Sequence, residues 1–533
     1  MIYLNYPLLV SKNMDKYQNL NVLLLITGII VFLYFSFKFF DFTIDDSFIA
    51  YRYAENLALG YGFSWNYDQT QEFGFTSYFM VLIIALGIKL GFDPILFSKG
   101  ITIIAGIITI LVSGLMLRVL TERKMKLYFL PSLFLGFIPA FGLHAISGME
   151  TLLFTMFFSL SIFSYISFIH SSNSKKAIPL IAFVILATIT RYEGILLVLG
   201  MISHQIYQKI ILKNDVDFKK ILLFCSPIVF LVGLFFFNNH QYEQILPNTF
   251  YVKQNFELTD VIRNIYAIAD TFIFVIPHIL LIFLNLKNNL KKSATSFMII
   301  QIIIILIPFL FINQWQNYFF RFYFHIIPII IILSVYSFYQ MYPKIIFGKY
   351  SKIVTVIVII LIATYVLPSN ADVNGFADRG IRILDYSYSK IGKILNNYDN
   401  LKENTLGIAV DAGAVPYFSH WKAYDYTLND IQSIKHGFNA DRFYSEKMVI
   451  ILINGGHDAY PQEILPDLEE NIIKNLQQPE VGHVDEITLD ERFKNFKLIT
   501  TYPRYFIFVE ENFAKNNEQL MNELIENSAP MGS

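Results

Sequence analysis

Cysteine is almost missing from this chain: Cys225 is the single one in 533 residues. One thiol excludes a disulfide framework, a cysteine metal site and dithiol redox chemistry, and within its apolar run Cys225 reads as a small buried hydrophobe. Charge is scarce too, at 16% Asp, Glu, Lys and Arg, where soluble domains carry about a quarter. With 55% hydrophobic residues, that shortfall excludes an ordinary soluble protein and points to a membrane protein. The formal net charge is -1 and no basic patch with interleaved aromatics occurs, so nucleic acid is set aside as a partner. Internal repeats, low-complexity tracts and His, Asp or Glu clusters with metal-ligand spacing are also missing.

What is abundant is apolar and aromatic, including 52 Phe and 33 Tyr. Runs long enough to cross a bilayer fall at roughly 21–40, 95–117, 127–146, 150–169, 221–238, 264–286, 294–312, 322–342 and 352–367. The first covers about 30 Å at about 1.5 Å per residue. It ends at Asp41 without a small-residue cleavage site, which marks a retained anchor rather than a signal peptide; Met14 is a natural alternative start. Two regions are ambiguous: 76–91, TSYFMVLIIALGIKLG, is short, and 177–208 is interrupted by RYEG at 191–194. Basic clusters at 12–16, 118–126, 175–176, 209–220, 287–292 and 344–352 decide both cases. All fall on one side if 76–91 is interfacial and 177–208 is two short spans turning at RYEG. The expectation is about eleven spans with the N-terminus cytoplasmic.

The opposite face then collects residues 41–94, HAISGME (144–150), RYEG, the loop at about 239–263, NQWQNYFFR (313–321) and everything after about 368. Function therefore points outward. Beyond Pro368 apolar runs shorten to strand length, with strands expected at 405–413, 447–455, 496–503 and 505–510. Helices are expected from about Asp378 to Asn397 and from about Pro466 to Leu476, before a polar tail after about Asn512 that is frayed at its end. The fold class is a polytopic α-helical membrane domain, 1–367, followed by a soluble α/β domain, 368–533.

Directly after the first span comes DFTIDDSFIAYRY. Thr43 and Asp46 have the form of a capping box, so a helix is expected from here to Leu59, stopping at Gly60. Asp45 and Arg52, seven apart, share a face, and Asp46 lies about 100° away, so the two acids divide into two jobs. Capping is the structural job open to Asp46. Asp45, framed by aromatics at the mouth of a helix bundle, is a candidate general base; its other reading is a solvated interfacial acid.

DDSFIAYRYAENLALGYGFSWN with EFGFTSYFMVLIIALG resembles the first outer loop of GT-C glycosyltransferases, in the branch of bacterial cell-wall arabinofuranosyltransferases and related polyprenyl-phosphate-sugar-dependent transferases. SGMETLLF, TRYEGILL, LPNTFYVK, RFYFHIIP and DAGAVPYFS extend the resemblance over most of the chain. It departs at Tyr192, where the family commonly has proline. The resemblance implies interfacial helices in the first outer loop and an inverting transfer from a polyprenyl-phosphate-linked sugar to a hydroxyl of an acceptor glycan or glycolipid. The reaction would take place on the outer face of the bacterial cytoplasmic membrane.

Asp45 matches the first acid of the family's pair, with Asp46 supporting it; together they could take a hard cation such as Mg²⁺ or Mn²⁺ alongside substrate phosphate. Outward cations for the donor phosphate are Lys253, Arg191, Arg52 and Arg321. Lys253 also reads as a solvated loop lysine, Arg321 as a snorkelling span end, Arg191 as a partner of Glu193 and Arg52 as a partner of Asp45 or Glu55. Glu150, His144, Asn248 and Tyr251 are the candidate substrate contacts, with capping or hydrogen bonding as the plainer role of the first two. His278, inside a span, reads as a hydrogen-bonded core residue. The turns VDAGAVPYFSH and NGGHDAY (454–460) follow strands, where ligands bind in α/β folds, but read first as tight structural turns. A transporter or flippase of lipid-linked sugars is the alternative; its ionisable groups would sit near the bilayer midplane, often in repeated halves. A glycan-binding scaffold is a third reading.

Overall fold

A computed structural model describes residues 16–528 apart from 68–71, 170–173, 216–217, 253–257, 313–315, 342–370, 410, 446, 455–471, 475 and 477–483. Among the described residues five helices are long and apolar enough to cross a membrane: Tyr17–Lys38, Pro94–Leu120, Thr151–Ile169, Lys220–Tyr242 and Phe324–Met341. Side chains such as Leu23, Phe37, Phe236 and Leu284 are exposed around them, which suits a lipid-facing belt. The expected span at 352–367, the boundary at 367/368, Lys253, His457 and most of the helix at 466–476 lie outside the described residues.

Proline explains most departures from the expected spans. The run at 127–146 is two short helices, Leu130–Gly136 and Pro139–Ile146, each with proline in its first turn and broken where Pro139 cannot continue a helix. The run at 264–286 likewise divides into Leu258–Ile273 and Ile276–Leu284, the second opening on Pro277. Residues 177–208 form Ala177–Thr190 and Leu196–Ile210, joined by a 3-10 turn at Tyr192–Ile195. The break is at Arg191, whose backbone is extended at φ -150°, ψ 134°. Thr190–Arg191 and the return helix therefore turn where the interruption was read. Cys225 stands at a kink between Phe218–Phe224 and Ser226–Tyr242 and is half-buried rather than buried.

The ends of the bundle differ in chemistry. At one end Asn21 bonds the Lys126 carbonyl, Tyr207 Oη donates to the Leu290 carbonyl at 3.1 Å and Lys292 Nζ donates to Tyr336 Oη at 2.7 Å. At the other, the Ile44 N–H donates to the Ser147 carbonyl at 3.1 Å, and Asp46, Glu150, Arg191 and Arg321 meet. His278, in the bundle, is buried and bonded to Ser334.

The C-terminal sheet has strands β1 (Thr405–Ala409), β2 (Lys422–Tyr424), β3 (Met448–Asn454), β4 (Phe496–Tyr502) and β5 (Tyr505–Glu510) in the order β2-β1-β3-β5-β4. β2 and β3 run parallel to β1; β5 is antiparallel to β3 and β4. The four expected strands are present, and β2, three residues long, is the additional one. Residues 371–396 are helical, with a π-turn at Leu384–Tyr388. The tail after Asn512 carries helix Glu518–Glu526, which buries Leu520, Met521 and Leu524, and Tyr502 Oη donates to the Leu524 carbonyl at 2.7 Å; its end, 529–533, lies outside the described residues.

Candidate active site

The helix that begins the outer loop runs Asp45–Leu59 and ends at Gly60, whose φ of 95° suits glycine. Its start differs from the expected capping box. Ile44 is the N-cap with no side-chain cap bond, which puts Asp46 at the second helical position rather than the third, and its carboxylate turns to Arg321 Nη2 at 3.1 Å. The guanidinium of Arg321 is 5% exposed, lies over the Tyr318 and Phe322 rings and also donates to Tyr318 Oη at 3.3 Å. A nearly buried cation needs a partner more than a helix end open to water does.

Asp45 and Arg52, on the shared face, both reach the C-terminal domain. The N–H groups of Gly413 and Ala414 donate to Asp45 Oδ2 and Oδ1 at 2.9 and 2.7 Å. They open helix Ala414–Ser419, whose own N-cap supplies no side-chain bond, so Asp45 caps it from elsewhere in the chain. Burial raises Asp45 to a pKa of about 8, helped by the charges of Asp411 and Asp46 and opposed by the two amides. Arg52 is fully buried over Trp65 and donates to the carbonyls of Trp65, Pro416 and Trp421 and to Asn66 Oδ1. Its donors clamp the outer loop to the C-terminal domain and face neither cleft described next.

Two clefts meet at Asp46, Gln316 and Asp411. One, of about 290 Å³, is lined by Arg321, Glu150, Ser77, Thr249 and Asp425. The other, of about 320 Å³, adds Asp45, Tyr388, Arg379 and Arg504 to a wall of Phe42, Tyr318 and Phe376. Behind the first cleft Arg191 donates to the Arg321 carbonyl at 3.2 Å and to Glu193 at 3.1 Å and lies 3.9 Å from Glu150. Two adjacent cations, Arg321 and Arg191, are thus bracketed by an acid at each end, Asp46 and Glu150.

The remaining candidates are structural in position. His144 Nε2 pairs with the Phe319 carbonyl at 2.9 Å. Asn248 is buried, donates to the Leu428 carbonyl at 2.6 Å and accepts from Gln244. Tyr251 packs on Phe250 beneath Lys435. The two aspartates diverge, one to amides and one to a guanidinium. Among the described residues no three His, Cys, Asp or Glu side chains converge on a metal position.

Sequence reading passed over Asp411, Tyr388, Arg379 and Arg504. Asp411 had one signal, the acid of VDAG directly after a strand. It accepts from Tyr388 Oη at 2.7 Å, from Asn454 and from Arg504 at 3.4 Å, and its φ is 60°. Burial raises its pKa, against the Tyr388 and Arg504 contacts. Arg504, with φ 71°, stands in the β4–β5 turn, where a lone arginine carries no sequence signal.

No family model and no curated protein matches the sequence. Solved structures do match in fold. ArnT from Cupriavidus metallidurans bound to undecaprenyl phosphate is similar at TM-score 0.56 and 13% identity, over 92% of this chain and 98% of ArnT. AglB, the oligosaccharyltransferase of Archaeoglobus fulgidus, in complex with an inhibitory peptide and a dolichol-phosphate, is similar at TM-score 0.53 and 12% identity, over 83% of this chain and 70% of AglB.

Proposed function

We propose that the chain is an inverting glycosyltransferase that moves a sugar from a polyprenyl-phosphate-linked donor to a hydroxyl of an acceptor glycan or glycolipid. The reading places the reaction on the outer face of the cytoplasmic membrane, in cell-envelope polysaccharide assembly, with about eleven spans and the basic loops inside. The observation that carries it is Asp46 at the junction of two clefts, one lined by Asp45 and the other served by Arg321, in a chain with the GT-C fold.

The chemistry follows from these side chains. The acceptor hydroxyl oxygen attacks the anomeric carbon opposite the lipid phosphate, the carbon–oxygen bond to phosphate breaks, and Asp45 takes the hydroxyl proton. A pKa of about 8 makes Asp45 a far better proton acceptor than an ordinary carboxylate. The departing phosphate gathers charge that Arg321, backed by Arg191 and joined by Lys253, stabilises. Asp46 keeps Arg321 aimed into the cleft.

Membranes containing the protein, given a polyprenyl-phosphate-sugar and acceptor glycan, are expected to make product, and Asp45→Asn to slow this about a hundredfold or more. Transfer at the full rate by that variant overturns the base assignment. Donor crossing the membrane without transfer overturns the enzyme in favour of a transporter.

A further inference from the structure

The cleft beside Asp45 contains groups that the donor does not need. Its outer wall belongs to the C-terminal domain: Asp411 after β1, Arg504 between β4 and β5, and Tyr388 from the π-turn, a feature frequent at functional sites. In the order β2-β1-β3 both neighbours run parallel to β1, so the chain leaves β1 to one side and returns on the other. The carboxyl end of β1 is therefore a switch point, where open parallel sheets leave a crevice for ligands. Asp411 occupies it in a left-handed conformation, φ 60°, that opposes an L side chain and persists where surroundings enforce it.

Arg504 is the under-used cation of that crevice. Its Nε is buried and has no hydrogen-bond partner among the described residues. Its contact with Asp411 is long, 3.4 Å, and the side chain is 35% exposed. Tyr388 bonds it as well, but with Nε unpaired the guanidinium keeps part of its donor fork for a planar oxyanion. Arg379, exposed on helix 371–383, lines the same cleft and makes no ion pair among the described residues. Facing them, Phe376 stacks on Tyr318 at 5.2 Å and meets Phe42 at 5.6 Å, an apolar platform wide enough for a ring. The acids opposite are already engaged, Asp46 by Arg321 and Asp45 by two amides.

We propose that Arg504, with Arg379 beside it, selects the acceptor: a glycan bearing a carboxylate or phosphate, gripped by Arg504 while Asp411 and Tyr388 bond its hydroxyls and present one of them to Asp45. This rests on the transferase reading and names the class of its acceptor. An oxyanion could come from the acceptor or from the lipid phosphate, and Arg321 at the other cleft is the station for the latter.

The test measures binding to the full-length protein in nanodiscs. Its probes are a glucuronate-ended disaccharide, a phosphorylated disaccharide, their neutral parent and, separately, undecaprenyl phosphate. The wild type is expected to bind one of the anionic disaccharides about tenfold or more tighter than the neutral one. Arg504→Gln is expected to abolish that preference and leave undecaprenyl phosphate binding unchanged; Arg379→Gln, at an exposed position, reduces the preference in the same direction. Equal binding of all three disaccharides by the wild type overturns the proposal. So does a preference that survives Arg504→Gln, or a loss of undecaprenyl phosphate binding in that variant. Sugar transfer without the preference sinks this subsite alone, and the preference in a protein that transfers nothing sinks the transferase reading alone.

Discussion

Asp45 Oδ1 accepts the backbone N–H of Ala414 at 2.7 Å across a separation of 369 residues. A side chain at the exit of the first membrane helix thus serves as the cap of a helix in the last domain, and the proposed base is oriented by that domain's backbone. Four expectations follow from this docking and the contacts around it.

The first concerns pH. Burial, with the charges of Asp411 and Asp46, pushes the Asp45 carboxyl up to about 8 from an ordinary 3.8. Between these values the unfolded chain has lost a proton that the fold retains, so the unfolded state binds fewer protons and stability falls as pH rises, levelling off above about 8. Thermal unfolding in detergent is expected to show this decline, and Asp45→Asn to flatten it. Transfer needs the deprotonated carboxylate and is expected to rise over the same window. A transfer rate indifferent to pH there removes Asp45 from the role of base.

Asp46 and Arg321 are expected to be energetically coupled. Asp46→Asn leaves a guanidinium only 5% exposed without its carboxylate and is expected to lose about 1–3 kcal/mol of stability. A double-mutant cycle with Arg321→Gln is expected to give a coupling of about 0.5–3 kcal/mol. Additive losses would show that the pair does not hold the cleft together.

Arg52→Ala is expected to destabilise the protein by about 3 kcal/mol or more, because the carbonyls of Trp65, Pro416 and Trp421 lose a charged donor at once. Arg52→Lys is expected to rescue little of this, since one ammonium cannot span the fork. Faster tryptic cleavage within the outer loop and within the C-terminal domain, as the two lose their docking, is the readout.

Gly413→Ala separates close approach from backbone freedom. A Cβ at 413 would lie 2.0 Å from the Asp45 carbonyl oxygen, so the turn must withdraw from Asp45 and transfer is expected to fail. Gly60→Ala meets no atom within 4 Å and is expected to cost only about 1 kcal/mol, through its positive φ. Equal damage from both would locate the fault in backbone strain.

The membrane class, the turn at RYEG, the helix from Asp45 to Leu59 and four of five strands could be read because each is written in local periodicity or punctuation. What could not be read is long-range. Thr43 and Asp46 have the spacing of a cap, but Arg321, 275 residues away, claims the acid. Arg52 resembles any outward cation until Pro416 and Trp421 surround it. Prolines 139 and 277 were visible breaks inside runs whose total hydropathy suggested single spans. Arg504 was beyond reach, since a two-residue hairpin turn does not disclose which cleft it overhangs.

The amides that cap onto Asp45 are also a matter of timing. A chain halted after residue 46 and before residue 413 carries both aspartates and neither of the N–H groups that orient the first of them. If Asp45 is the base of the proposed transfer, competence is expected only once the final domain has docked on the first loop.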